Sequence, residues 1–121
     1  MGWAEVADVR TLVYTAEADS QVEKSLDSAK KDIEAITGSI IGIVPDTLFN
    51  AHKYLSAITL MNFMITSGEL AYMNKMGPDQ TYNKPEDMIA RYQKKFEQSM
   101  AQYGYSTNAA SLYAVIKLEE V

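Results

Sequence analysis

The chain has 121 residues, 47% of them apolar, and 16 Asp or Glu against 11 Lys or Arg give a net charge of −5. That apolar content suits one folded domain with one modest core rather than a disordered chain. The acidic balance argues against a free-standing nucleic-acid binder, which carries a basic footprint, and with no cysteine there is neither a disulfide framework nor a thiolate metal site.

The acidity is uneven: the first 37 residues hold eight carboxylates against four basic side chains. The opening Met1-Gly-Trp-Ala-Glu-Val has no basic region followed by an apolar stretch, so no secretory leader is expected. Val6 stands where a myristoylation signal needs Ser or Thr. A short helix is predicted over about residues 4–12, because Val6, Val9 and Val13 recur at spacings of three and four. Thr15 is the expected cap of the next helix, which begins at Ala18 and Asp19. There Val22, Leu26, Ala29, Ile33 and Ile36 form an amphipathic stripe, with Glu23, Lys24, Asp27, Lys31 and Glu34 on the solvated face. Gly38 ends that helix, since glycine alone enters the left-handed region without penalty.

The next stretch, Ser39-Ile-Ile-Gly-Ile-Val44, is an apolar loop or a short strand. Loops normally face water, so this one either tucks under its own core or lies against a neighbouring chain. Pro45 opens the following helix, with Asp46 or Thr47 as cap. This central helix is predicted to run to about Met76, where Gly77-Pro78 stops it, with Gly68 marking a bend or a close contact. Its middle, Tyr54-Leu-Ser-Ala-Ile-Thr-Leu-Met-Asn-Phe-Met-Ile65, is apolar on every side and must be covered by other elements or another subunit. At about 12 residues the run is shorter than the roughly 20 that a membrane span requires. Met61, Met64, Met73 and Met76 read as core filling before they read as an adaptable interface. Glu69 interrupts the apolar pattern, either pairing with Lys53 or Arg91 or emerging into solvent.

A polar, turn-rich loop over residues 78–85 comes next. Pro85, Glu86 and Asp87 then make a favourable first turn for a last helix reaching about Tyr103, its buried stripe being Met88, Ile89, Tyr92, Phe96 and Met100. Residues 104–111 read as a linker, and Leu112-Tyr-Ala-Val-Ile-Lys-Leu118 is rich in strand formers. A lone strand cannot satisfy its own backbone groups, so it is expected to pair with residues 40–44 or with another subunit. The predicted fold is therefore mainly α, a four-helix domain over residues 1–103, with residues 104–121 as linker and extended C-terminal strand or arm.

Catalytic chemistry is not expected. His52 is the only histidine and reads as a surface or satisfied residue. No Glu-x-x-His, no phosphate-binding glycine loop and no nucleophile–base set occurs. No cofactor or metal is expected.

The order of these elements resembles a known family. A short helix, a capped amphipathic helix carrying Ala29-Lys-Lys-Asp-Ile33, a glycine-containing loop, a long helix carrying Ala51-His-Lys-Tyr-Leu55 and Ala57-Ile-Thr-Leu60, and a final helix with Met88-Ile-Ala-Arg-Tyr92 and Phe96 resemble the head–tail connector, or head-completion adaptor, proteins of tailed bacteriophages. The resemblance spans roughly residues 4–103 and is one of pattern, without a signature motif. It implies a non-enzymatic virion protein of the neck region, assembled in the host cytoplasm into a ring, usually a dodecamer. The ring would bridge the portal protein to the next neck or tail completion protein and let DNA pass without sequence-specific binding. It implies subunit or partner contacts at Ile40, Ile41, Ile43, Val44 and Tyr82, and at Leu112, Tyr113, Val115, Ile116 and Leu118 of the arm. No membrane contact is expected. The alternative reading is a small helical protein-binding or regulatory module acting as a dimer or heterodimer. An enzyme built on an unfamiliar carboxylate site is the remaining class.

Overall fold

The computed structural model describes residues 2–68 and 85–105, and these are mainly helical, with no strand among them. Among the described residues four α-helices follow in order: α1 (Val6–Arg10), α2 (Asp19–Thr37), α3 (Asp46–Ser67) and α4 (Pro85–Met100). A π-helical turn, Ala101–Tyr105, continues α4 and is kinked at Gly104. The strand-forming run 112–118, Glu69, Met73, Met76 and the stop at Gly77-Pro78 lie outside the described residues.

The centre of the fold is α3. Leu55, Ser56, Ala57 and Ile58 are four consecutive buried residues, and four successive helical positions point to all sides of the axis. The helix packs chiefly against α4 and α2, with α1 touching both α2 and α3. Two apolar clusters lie along its length. Leu48, Ala51 and Leu55 pack with Ala29 and Ile33 of α2 and with Phe96 and Met100 of α4. Ala57, Leu60, Met61 and Met64 pack with Val22 and Leu26 of α2, with Val9 and Val13, and with half-buried Met88, Ile89 and Tyr92. The first half of α3 thus meets the second halves of α2 and α4, so both neighbours run antiparallel to it.

The amphipathic stripe of α2 is seated as its spacing predicts. Val22, Leu26, Ala29 and Ile33 are buried, and Ile36 packs half-buried against the second cluster. Gly38 comes after the helix at φ +82°, its N–H donating to the Glu34 carbonyl at 2.8 Å. In α4, Phe96 and Met100 are buried.

Several boundaries differ from expectation. The first helix is shorter, Val6–Arg10, although Val9 and Val13 are both buried. Thr15 does not cap α2: its Oγ1 accepts from the Glu17 N–H at 3.0 Å, and Ala18 holds the cap position. The turn between α1 and α2 is gathered by Arg10, whose guanidinium donates to Asp19 Oδ1 at 2.7 Å and to the Glu17 carbonyl at 2.8 Å. Neither Asp46 nor Thr47 caps α3, because Pro45 holds that position and Asp46 is already helical. There its carboxylate acts on the positive end of the helix dipole.

The largest difference is the end of α3. It stops at Ser67, and Gly68 is its left-handed cap at φ +84°, donating to the Ile65 carbonyl at 3.2 Å. The glycine expected to mark a bend or a close contact instead ends the helix, because it takes the left-handed conformation that glycine alone enters without penalty.

Two substitutions test this assignment. Leu60 is fully buried, so Leu60→Asp should abolish the cooperative thermal transition by placing an unpaired charge in the core; a soluble variant that melts like the parent would overturn the placement of α3. Gly68→Ala meets nothing within 4 Å, so its cost is conformational alone, about 1 kcal/mol. An unchanged or raised denaturation midpoint would mean that the helix continues through position 68.

Candidate functional surface

The residues expected to meet a partner divide into two groups. In the loop after α2, Val44 is 3% exposed and packs with Leu48 and Ile33, and Ile40 is half-buried against the same cluster. Val44 thus belongs to the core of the chain itself, and Ile40 leans against it with part of its side chain exposed. Ile41 and Ile43 are 95% and 79% exposed. Residues 41–43 are thus three consecutive exposed positions at a bend, flanked by side chains that turn inward. Gly42, at φ +89°, stands between the two exposed isoleucines. Residues 40–44 form a loop rather than a strand. Tyr82, Leu112, Tyr113, Val115, Ile116 and Leu118 lie outside the described residues.

The loop has no charged side chain from Gly38 to Pro45. The burial of Ile40 and Val44 on either side anchors it. Phe63 and Ile65, near the far end of α3, are also exposed. From Asp46 to Ser67 the helix rises about 33 Å, which places these two apolar features toward opposite ends of the molecule.

A second feature is a cleft of about 520 Å³ beside the N-terminal segment, lined by Trp3, Glu5, Asp19, Glu23, Asp27 and Lys30 among others. Its inner wall includes His52, which is 2% exposed. The Ala4 N–H donates to His52 Nδ1 at 3.0 Å, and Nε2 lies 2.8 Å from the Leu26 carbonyl. Trp3 meets the imidazole edge-on, with ring centroids 5.2 Å apart, and Lys30 Nζ lies 5.7 Å from the centre of the Trp3 ring. Burial pushes the His52 pKa below its ordinary value, against the opposing pull of the Leu26 hydrogen bond.

This histidine satisfies two backbone groups 26 and 48 residues away, a role that reading it as a surface or satisfied residue covers only in part. Its position beside Ala51, one turn before Leu55, was the available signal. Tyr92 makes a comparable long-range link, its hydroxyl donating to the Leu12 carbonyl at 2.6 Å, and burial raises its pKa. No group of three or more His, Cys, Asp or Glu among the described residues is placed to hold a metal ion. No described helix is long and apolar enough to cross a membrane.

Comparison of the chain with protein-family models, with curated proteins and with solved structures finds no match to any of them.

The division within the loop is testable. Replacing Ile41 and Ile43 together by Ser should change unfolding stability by no more than about 0.5 kcal/mol, as for other exposed positions. Val44→Ala should cost roughly 1–3 kcal/mol by loss of buried methyl groups. Equal costs for the two variants would show that the isoleucines are core residues of the folded chain.

Proposed function

We propose that the protein is a structural adaptor that assembles laterally into a ring, as a head–tail connector of a tailed virus bridging the portal to the next neck or tail protein. The observation that carries the reading is the Ile41-Gly42-Ile43 tip, with both isoleucines exposed on a loop that its own neighbours anchor. A large apolar side chain held out into water is stabilised when a partner covers it. The helical core built around α3 offers a compact body for such contacts, and the element order supports the connector resemblance. On this reading the ring is homo-oligomeric, the chain after the π-helical turn supplies a linker and an arm that reaches a neighbour or the portal, and DNA passes through an acidic lumen without sequence-specific contacts. The protein carries no enzymatic activity, needs no cofactor and resides in the virion neck.

Mass by light scattering, combined with negative-stain images over a wide concentration range, tests the proposal. Closed rings with a central hole are the expected result, either alone or on adding a portal. Ile41→Asp should lower the fraction of assembled protein while leaving far-UV circular dichroism intact, and deletion of residues 112–121 should do the same. A chain that stays monomeric or dimeric at all concentrations, with or without a portal, would refute the adaptor and favour a dimeric binding module.

A further inference from the structure

His52 is held between two backbone partners whose chemistry allows only one state of its ring. The Leu26 carbonyl can only accept, so Nε2 carries the proton. The Ala4 amide can only donate, so Nδ1 presents its bare lone pair. The partners themselves thus dictate this neutral tautomer. An imidazolium bears N–H on both nitrogens, and its Nδ1–H would face the Ala4 N–H at 3.0 Å, donor against donor. Protonation therefore breaks one of the two bonds selectively, the one to the N-terminal segment, and leaves the bond to Leu26 intact.

Beyond Ala4 the chain is anchored separately. The Glu5 N–H donates to Asp8 Oδ2 at 2.9 Å, Val9 and Val13 are buried, and Tyr92 bonds the Leu12 carbonyl. The residues before Glu5 are the ones the histidine touches: Trp3 lies edge-on to its ring while resting on the second cluster, and Ala4, hydrogen-bonded to it, is buried in the first. We propose that His52 is a proton-operated latch that holds Trp3 and Ala4 against α2 and α3 while neutral and releases them when it takes up a proton, joining the strip they vacate to the acidic cleft.

The surroundings set the direction with pH. Burial lowers the His52 pKa in the closed state and Lys30 adds to this, while the Leu26 carbonyl, Asp27 and Glu34 act the other way. The charged groups of the cleft are Glu5 from the N-terminal segment and Asp19, Glu23, Asp27 and Lys30 from α2; Lys53 is the neighbouring charge on α3 itself. The closed state binds fewer protons than the open one, so the latch is fully engaged above the ordinary histidine value of 6.5. It weakens as pH falls below that value, down to the lower pKa of the closed state.

The chain reports on the latch without labels, because Trp3 is its only tryptophan and His52 its only histidine. Trp3 emission and the His52 ring resonances would be followed from about pH 8 to about pH 5, a range that spans histidine titration. The expected result is a red shift of Trp3 emission and loss of exchange protection at the Ala4 amide, both tracking the ring titration, with unchanged far-UV circular dichroism. In His52→Gln, which cannot be protonated, the emission transition should vanish. If that variant does not fold, coincidence of ring titration and Ala4 exchange in the parent chain decides. Titration of the ring without change at Trp3 or Ala4 would overturn the latch. So would a transition that coincides with loss of helix, or one that persists unchanged in His52→Gln.

Discussion

The fold depends on one constraint: the middle of α3 has no side that tolerates water. With Leu55, Ser56, Ala57 and Ile58 all buried in succession, no single neighbouring helix can cover it. The amphipathic stripes of α2 and α4 supply two covering faces, and α1 closes part of the third. Both α2 and α4 run antiparallel to α3, and each spreads its stripe along both apolar clusters. A buried aliphatic side chain contributes about 1.5–3 kcal/mol relative to its exposed state, so Leu48, Leu60, Met61 and Met64 alone outweigh the surface ion pair between Arg10 and Asp19. The Arg10–Asp19 bridge, with Asp19 largely exposed, belongs to the class worth at most about 1 kcal/mol. Its larger service is to collect the carbonyls of the α1–α2 turn.

Polar groups inside this core are matched by specific partners. Ser25 and Ser99 return their hydroxyls to carbonyls four residues back in their own helices, a local solution open to serine in a helix. His52 and Tyr92 reach instead to distant backbone, at Ala4 and Leu26 and at Leu12. These bonds tie the N-terminal part of the chain to both α3 and α4. Each contributes about 1 kcal/mol when formed, and leaving a partner buried and unbonded costs more than the bond gains. They therefore fix where the N-terminal part sits more than they add to stability. Ser56 Oγ is the exception, buried without a hydrogen-bond partner. A hydroxyl there is less favourable than a methyl would be.

Much of the helical architecture was legible in the sequence because it rests on periodicity. The stripe Val22, Leu26, Ala29, Ile33 appears as predicted, as does a last helix that buries Phe96 and Met100. What was less legible depends on competition between local signals. Thr15, Asp46 and Thr47 are all good cap residues, yet the proline before Asp46 and the turn held by Arg10 place the helix starts elsewhere. Gly68 carried the correct chemical signal for a helix end, but the apolar pattern on both sides of it favoured continuation. Ile40 and Val44 could not be told from Ile41 and Ile43 by composition, since only the path of the loop decides which of four similar side chains turns inward. The link from His52 to Ala4 spans 48 residues, and no pattern within one segment signals such a contact.

The exposed pair Ile41 and Ile43 gains its meaning from the same constraint. A core organised around one all-round apolar helix absorbs Ile40 and Val44 readily, yet the loop holds the two residues next to them in water. That arrangement is what an assembling subunit needs, and it supports the adaptor reading. The covering of α3 underlies all of these features, and native-state hydrogen exchange along that helix tests it most directly. Amides from Leu55 to Met61 should exchange more slowly than any others among the described residues, and only through global unfolding. Exchange of those amides through local opening, with α2 or α4 still protected, would contradict it.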